Sequence, residues 1–348
     1  MEHRVTFSMV LVLLTALLGL SILLAVTFGS VKIPVSQVYQ VIAYKLFKAG
    51  SADILQSSVY NIVWGIRLPR LILAVGVGIS LSVSGCIMQA VVKNPIADPY
   101  ILGISSGAYT GATLALLLGL GSALGSGFVG AMAFLGAFAM SLLVIGLANI
   151  GGKANSVKLI LCGTAISSVC SAVANFIIYM TNESNKVQAV INWTMGSLAS
   201  AEAGTNAVVL CVALLGTCFF LTQYRSLNLM LMGDEMAVTL GTSLHSRRIL
   251  YLLVSAFMVG FAVYAAGMIG FVGLLIPHIA RMCFGSSHKR LLPVAALFGA
   301  IFLVWADVLC RILIAKTELP IGILTALVGS PCFIYLMLRK KYAFGGGA

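Results

Sequence analysis

Charge is what this sequence has least of. Of 348 residues, nine are acidic and 21 basic, so charged side chains make up 9%, against about 25% in a soluble domain. Residues 99–152 form 54 consecutive positions without Asp, Glu, Lys or Arg, and residues 249–280 form another 32. A helix rises about 1.5 Å per residue, so roughly 20 apolar residues cross the hydrocarbon core. The longer stretch therefore holds two crossings with a turn between them. A soluble globular domain is excluded. The chain reads as an all-α polytopic membrane protein.

Other scarcities narrow the function. Histidine occurs four times, and no catalytic constellation converges, so a membrane enzyme finds no support. Eight cysteines are present, at 86, 162, 170, 211, 218, 283, 310 and 332. No pair has CxxC spacing and all fall in apolar segments, so they read as packing thiols and no metal site is expected. A Walker A loop is missing. Gly151-Gly152-Lys153 lacks the preceding glycine and the following Ser or Thr, so this chain is not expected to hydrolyse ATP. There is no polar linker, and residues 1–348 read as one transmembrane unit.

What is abundant agrees. The hydrophobic fraction is 60%, glycine numbers 36 and mean hydropathy is +1.08. Small residues let helices pack closely in lipid. Arg4 precedes an uncharged run from Val5 to Val31, too long for a signal-peptide core. Ten spans follow, near 8–28, 67–92, 99–119, 127–150, 158–180, 202–222, 248–268, 271–285, 292–314 and 320–338. The third and fourth are parted by the Gly/Ser-rich Gly119–Gly130, the seventh and eighth at Gly267-Met268-Ile269-Gly270. Span eight is short, and broken spans often line a path, though a plain turn reads equally well.

With both termini cytoplasmic, 13 of the 21 basic residues fall inside, as cytoplasmic loops prefer. The +12 net charge is thereby topological. It lies in short separate loops, so nucleic acid is not an expected partner; membrane lipid is. Two polar segments are long enough for structure of their own. Residues 32–66 lie outside, with a surface helix from Pro34 to Lys48. Residues 223–247 lie inside and read as two short helices. Gly233 ends the first, Asp234 and Glu235 open the second, and Gly241 closes it.

Several polar residues stand out against this background. Arg67-Leu68-Pro69-Arg70 opens span two at the outer boundary, and Arg311 and Lys316 close span nine on the same face. Such a cluster reads as a docking site for an acidic partner or substrate, or as interfacial snorkelling. Asp307, four residues before Arg311, reads as its helical ion-pair partner, with a proton relay as the other reading. His278 follows Pro277 with no second ligand in view. The stripe Ser167, Ser168, Ser171 and Asn175 has helical spacing; it lines a passage or bonds neighbouring helices.

Four segments carry a family resemblance, in order along the chain. They are Arg67-Leu-Pro-Arg70; Asn94-Pro-Ile-Ala-Asp-Pro-Tyr-Ile-Leu-Gly-Ile-Ser-Ser-Gly107; Gly270-Phe-Val-Gly-Leu-Leu-Ile-Pro-His-Ile-Ala-Arg281; and Glu318-Leu-Pro-Ile-Gly-Ile-Leu-Thr-Ala-Leu-Val-Gly-Ser-Pro-Cys-Phe333. The chain resembles the FecCD-type permease subunits of type II ABC importers for ferric siderophores, haem and cobalamin, over roughly residues 8–340.

The resemblance implies a bacterial cytoplasmic-membrane protein that pairs with a second copy around a central pathway. Two cytoplasmic ATPases, holding ATP and Mg, bind below, and an extracytoplasmic substrate-binding protein docks above. No cofactor is implied for the chain itself. Arg67, Arg70 and Arg311 match the docking arginines. Gly233, Asp234, Glu235 and Gly241 match the ATPase-coupling segment. Span five, with Ser167, Ser168, Ser171 and Asn175, is similar to the pathway-lining helix, and Asn155-Ser156-Val157 match the cytoplasmic gate. Departures at Ile96, Tyr100, Cys162 and Cys332 touch none of these roles. A ferric siderophore is the first expectation, with haem and cobalamin open. The rival class is a secondary transporter using Asp307 or His278 as an ion site.

Overall fold

The computed structural model describes residues 2–50, 52–117, 127–150, 152, 154–233, 239, 244–314 and 317–339. Among them there is no strand. Among the described residues, thirteen α-helices of nine or more residues carry the fold: α1 (Glu2–Ala25), α2 (Val35–Phe47), α3 (Leu68–Val92), α4 (Ile104–Leu117), α5 (Phe128–Asn149), α6 (Ser156–Tyr179), α7 (Ser184–Thr194), α8 (Ala203–Thr222), α9 (Tyr224–Met232), α10 (His245–Ala266), α11 (Val272–Phe284), α12 (His288–Ile312) and α13 (Ile321–Arg339). Seven helical runs among the described residues are long and apolar enough to cross a membrane. The short α4 and α11, with α13, occupy the other three expected spans. The boundaries fall within a few residues of expectation, except that α4 starts at Ile104 rather than at Pro99, because Pro99–Leu102 forms a 3-10 turn first. Most of the Gly119–Gly130 break lies outside the described residues.

The central element is α3. It packs against α8, α10, α11 and α12, and from Leu71 to Val92 nearly every side chain is buried. Glycines make this possible. Gly78 faces the Gly299 backbone of α12, and Gly85 faces the Gly273 backbone of α11. Gly107 and Gly136 meet in the same way between α4 and α5. In lipid, where apolar burial gains little, close backbone approach supplies the dispersion contact that holds helices together. Between α5 and α10 the filling is aromatic instead. Phe134 lies 5.8 Å from Phe257 and 4.8 Å from Phe261, centroid to centroid.

The polar segment 32–66 contains α2, close to the expected surface helix, which stops where Lys48 takes a left-handed φ of 57°. It also contains something the sequence did not signal. Asn61–Arg67 is a π-helical stretch that runs straight into α3, so the helical run begins at Ser58. The wider π turn re-aims the side chains that follow, and Arg67 is buried as a result.

Two irregular segments meet inside the bundle. One is 93–103, which folds back after α3. The other is 267–271, which replaces the first turns of its pass. Phe271 holds a left-handed φ of 67°, uncommon for a residue with a Cβ. Freed backbone groups find protein partners, as they must away from water. The Ser197 N–H donates to the Ala266 carbonyl, 2.8 Å. Tyr100 Oη donates to the Ile269 carbonyl, 3.2 Å, and receives the Ile269 N–H, 3.4 Å. Tyr100 thus takes a bridging role not expected of it. Tyr100→Phe is expected to leave both Ile269 groups unsatisfied and to cost about 1–3 kcal/mol. A melting temperature equal to that of the wild type in mild detergent would show that the bridge contributes nothing.

Candidate docking and translocation site

The three arginines expected at an outer rim converge on one end of the bundle, but they point inward. All three are buried, at 3% exposure for Arg67, 5% for Arg70 and 4% for Arg311. Arg67 closes the end of α1. Its Nη1 donates to the carbonyls of Val26, 2.9 Å, and Thr27, 3.0 Å, and its Nη2 to that of Val31. The carbonyls at a helix C-terminus lack intrahelical partners and carry partial negative charge, so a guanidinium suits them. Gly29 leaves the room, since a Cβ there would press on the guanidinium.

Arg70, Asp307, Arg311 and Glu318 form a chain of alternating charge. Arg311 Nη2 lies 3.0 Å from Asp307 Oδ2, and its Nη1 donates to the Phe28 carbonyl, 3.1 Å. Asp307 Oδ1 accepts from Arg70 Nη2, 2.9 Å. Arg70 Nη1 then donates to both Glu318 oxygens, at 3.0 and 2.7 Å. Asp307 is 1% exposed, and the Glu318 side chain is 39% exposed. The helical pairing of Asp307 with Arg311 was legible from spacing. The second guanidinium on Asp307 was not, because α3 and α12 are 237 residues apart at that contact. Glu318 stood in a quoted motif without a role. Lys316 lies outside the described residues.

A cavity of about 310 Å³ adjoins this chain of charges, lined by Arg70, Asp307, Glu318, Asn192 and Ser197 among others. Asn192 and Ser197 also line a second cavity of about 340 Å³, with Trp193, Glu202 and Tyr264.

The opposite end carries α9. It ends at Gly233, whose φ of 108° is open to glycine and strained for other residues. The helix is bolted to its neighbours. Asn228 Oδ1 accepts the His288 N–H of α12, 2.9 Å, and lies 2.8 Å from His288 Nδ1. Tyr251 Oη of α10 donates to Gln223 Oε1, 2.9 Å, and Arg247 reaches Ser226. His288 was not singled out by sequence; only its neighbours in space mark it. Asp234, Glu235 and Gly241 lie outside the described residues.

Helix α6 leaves a long face uncovered. Leu161, Val169 and Phe176 are exposed beside Thr164, Ser168 and Asn175. Two members of the serine stripe bond a neighbouring helix. Ser106 Oγ of α4 bonds Ser167 Oγ, 3.1 Å, and Tyr109 Oη donates to Asn175 Oδ1, 2.9 Å. Ser168 stays on the open face, donating only to the Thr164 carbonyl one turn back, 3.0 Å, and Ser171 is half-buried. Asn155 caps α6, its side chain accepting the Lys158 N–H, 2.8 Å, with Ser156 half-buried and Val157 exposed beside it. His278 is buried within α11. Among the described residues no three of His, Cys, Asp and Glu gather as metal ligands.

A family model described as the FecCD transport family matches residues 17–339. The chain belongs to that family. The hemin transport permease of Yersinia pestis is 42% identical over 289 residues, covering 82% of this chain and 85% of that protein. An uncharacterized ABC transporter permease of Bacillus subtilis is 39% identical, covering 93% and 91%. The cobalamin import permease of Halobacterium salinarum is 39% identical, covering 80% and 74%. Among solved structures, one described as an inward-facing metal-chelate type ABC transporter superposes with a TM-score of 0.83 at 29% identity, covering 96% of this chain and all of that one. As a FecCD-family protein the chain is a multi-pass ABC importer permease, a transport subunit.

Proposed function

We propose that this permease is the membrane-spanning subunit of an ATP-driven importer of a large metal chelate, which passes between two copies of the chain. A ferric siderophore is the first candidate cargo, with haem and cobalamin next. The open face of α6 carries the proposal. A helix face turned to lipid carries few polar side chains, whereas α6 exposes Thr164, Ser168 and Asn175 among apolar side chains. A path for a bulky, partly apolar chelate, closed by a second copy, suits that mixture. Gate residues Asn155, Ser156 and Val157 stand at its α9 end.

Two ATPase subunits, with their ATP and Mg, seat against the α9 end, taken as cytoplasmic along with both termini. A substrate-binding protein docks at the arginine end, around Arg67, Arg70 and Arg311. The α9 contacts to α10 and α12 offer a route by which a movement of the ATPases reaches the bundle. The rival secondary transporter loses one of its two candidate ion sites, because Asp307 is engaged by two guanidinium groups; His278 is the other.

Uptake by cells is expected to survive collapse of the proton gradient and to stop on ATP depletion. Purification in mild detergent is expected to recover an ATPase and a binding protein, identified by mass spectrometry. Uptake that follows the proton gradient, with the chain recovered alone, would overturn the importer reading.

A further inference from the structure

We infer that Glu318 is an exchangeable internal carboxylate that holds Arg70 until the carboxylate of a docking protein replaces it. The inference rests on docking at the arginine end and adds how that site is kept closed. The two acids on Arg70 are not equivalent. Asp307 sits on α12, buried, and serves Arg311 as well. Releasing it would strand two buried guanidinium groups, which is strongly unfavourable. Glu318 lies between α12 and α13, with a side chain 39% exposed, so it can move into water at little desolvation cost.

Its grip is also the weaker one. Both Glu318 oxygens share the single Nη1, whereas the strong arginine–carboxylate geometry uses two parallel N–H donors. An incoming carboxylate can take the place of Glu318 on Nη1, and the cavity of about 310 Å³ beside Arg70 gives it space. Asn192 and Ser197 in the wall supply polar neighbours. Arg70, Asp307, Arg311 and Glu318 together carry no net charge, so a partner's acid that displaces Glu318 keeps the buried charges balanced. A protein presenting an Asp or Glu therefore fits this site, and one presenting a basic residue does not.

The test uses the assembled importer in lipid nanodiscs without nucleotide, and as probe the binding protein that co-purifies with it, identified by mass spectrometry. Glu318→Gln removes the competing charge and is expected to tighten docking about two- to fivefold, the range of a partly exposed ion pair. Glu318→Asp keeps the charge on a shorter arm and is expected to tighten docking by less. Unchanged or weaker docking in both variants, with wild-type melting temperatures, overturns the exchange. Loss of folded protein in both makes Glu318 a structural clamp and overturns it too. If one variant fails to fold, the other decides. A binding protein that does not dock on the wild-type complex at all refutes the docking reading itself, a different failure from docking that ignores Glu318.

Discussion

Asp307→Ala is expected to cost about 3–5 kcal/mol, the range found when one partner of a buried charge pair is removed. Asp307 is 1% exposed and touches both Arg70 and Arg311. Without it, Arg311 keeps only carbonyl partners and Arg70 keeps only Glu318. The loss runs beyond one contact, because Arg70 ties α3 to α12 and to the segment before α13. Little monodisperse protein should survive gentle detergent extraction, and what survives should melt well below the wild type. Asp307→Asn keeps acceptor oxygen without the charge and should lie between the two. A proton relay makes the opposite forecast: both variants fold normally and only transport is lost. Normal melting in Asp307→Ala would therefore overturn the clamp.

Gly85→Leu is the second large effect. A Cβ at Gly85 would overlap the carbonyl of Gly273, which is backbone and has nowhere to go. Even Gly85→Ala should cost about 3 kcal/mol, the upper end for overpacking. Leucine adds three carbons more and should force α3 and α11 apart, disturbing the junction where Pro99 packs on Gly273. The readout is the yield of monodisperse protein and its melting temperature. Gly146 on α5 is the control, since nothing lies within 4 Å of its missing Cβ. Gly146→Ala should be neutral or stabilising by up to about 1 kcal/mol, from helix propensity. Equal behaviour of the two positions would mean that the α3–α11 contact tolerates separation.

The span pattern was legible because hydrocarbon imposes it residue by residue. Long uncharged runs of fixed length leave few choices, and the helices fall close to the expected segments. Local chemistry was legible for the same reason. Asp307 and Arg311, four residues apart, pair on one helix face. Gly233 ends α9, as glycine at a helix end predicts.

The arginines show where that reading stopped. Their positions near a span boundary suggested an exposed rim, whereas the structure buries all three. Arg67 turns inward because a π-helical stretch rotates it toward the end of α1, and no residue pattern announces a π turn. Arg70 turns inward because two acids from distant segments wait for it. Tyr100 read as a neutral departure and became the bridge across Ile269.

Sequence alone determined where the apolar helices lie, the helical class and the family-bearing motifs, because each depends on a run of neighbouring residues in a solvent that permits only self-satisfied backbone. Tertiary structure alone decided which charges neutralise each other, which glycines carry another helix's backbone and which face of α6 stays open. Those properties belong to pairs of residues far apart in the chain, and only packing brings the pairs together.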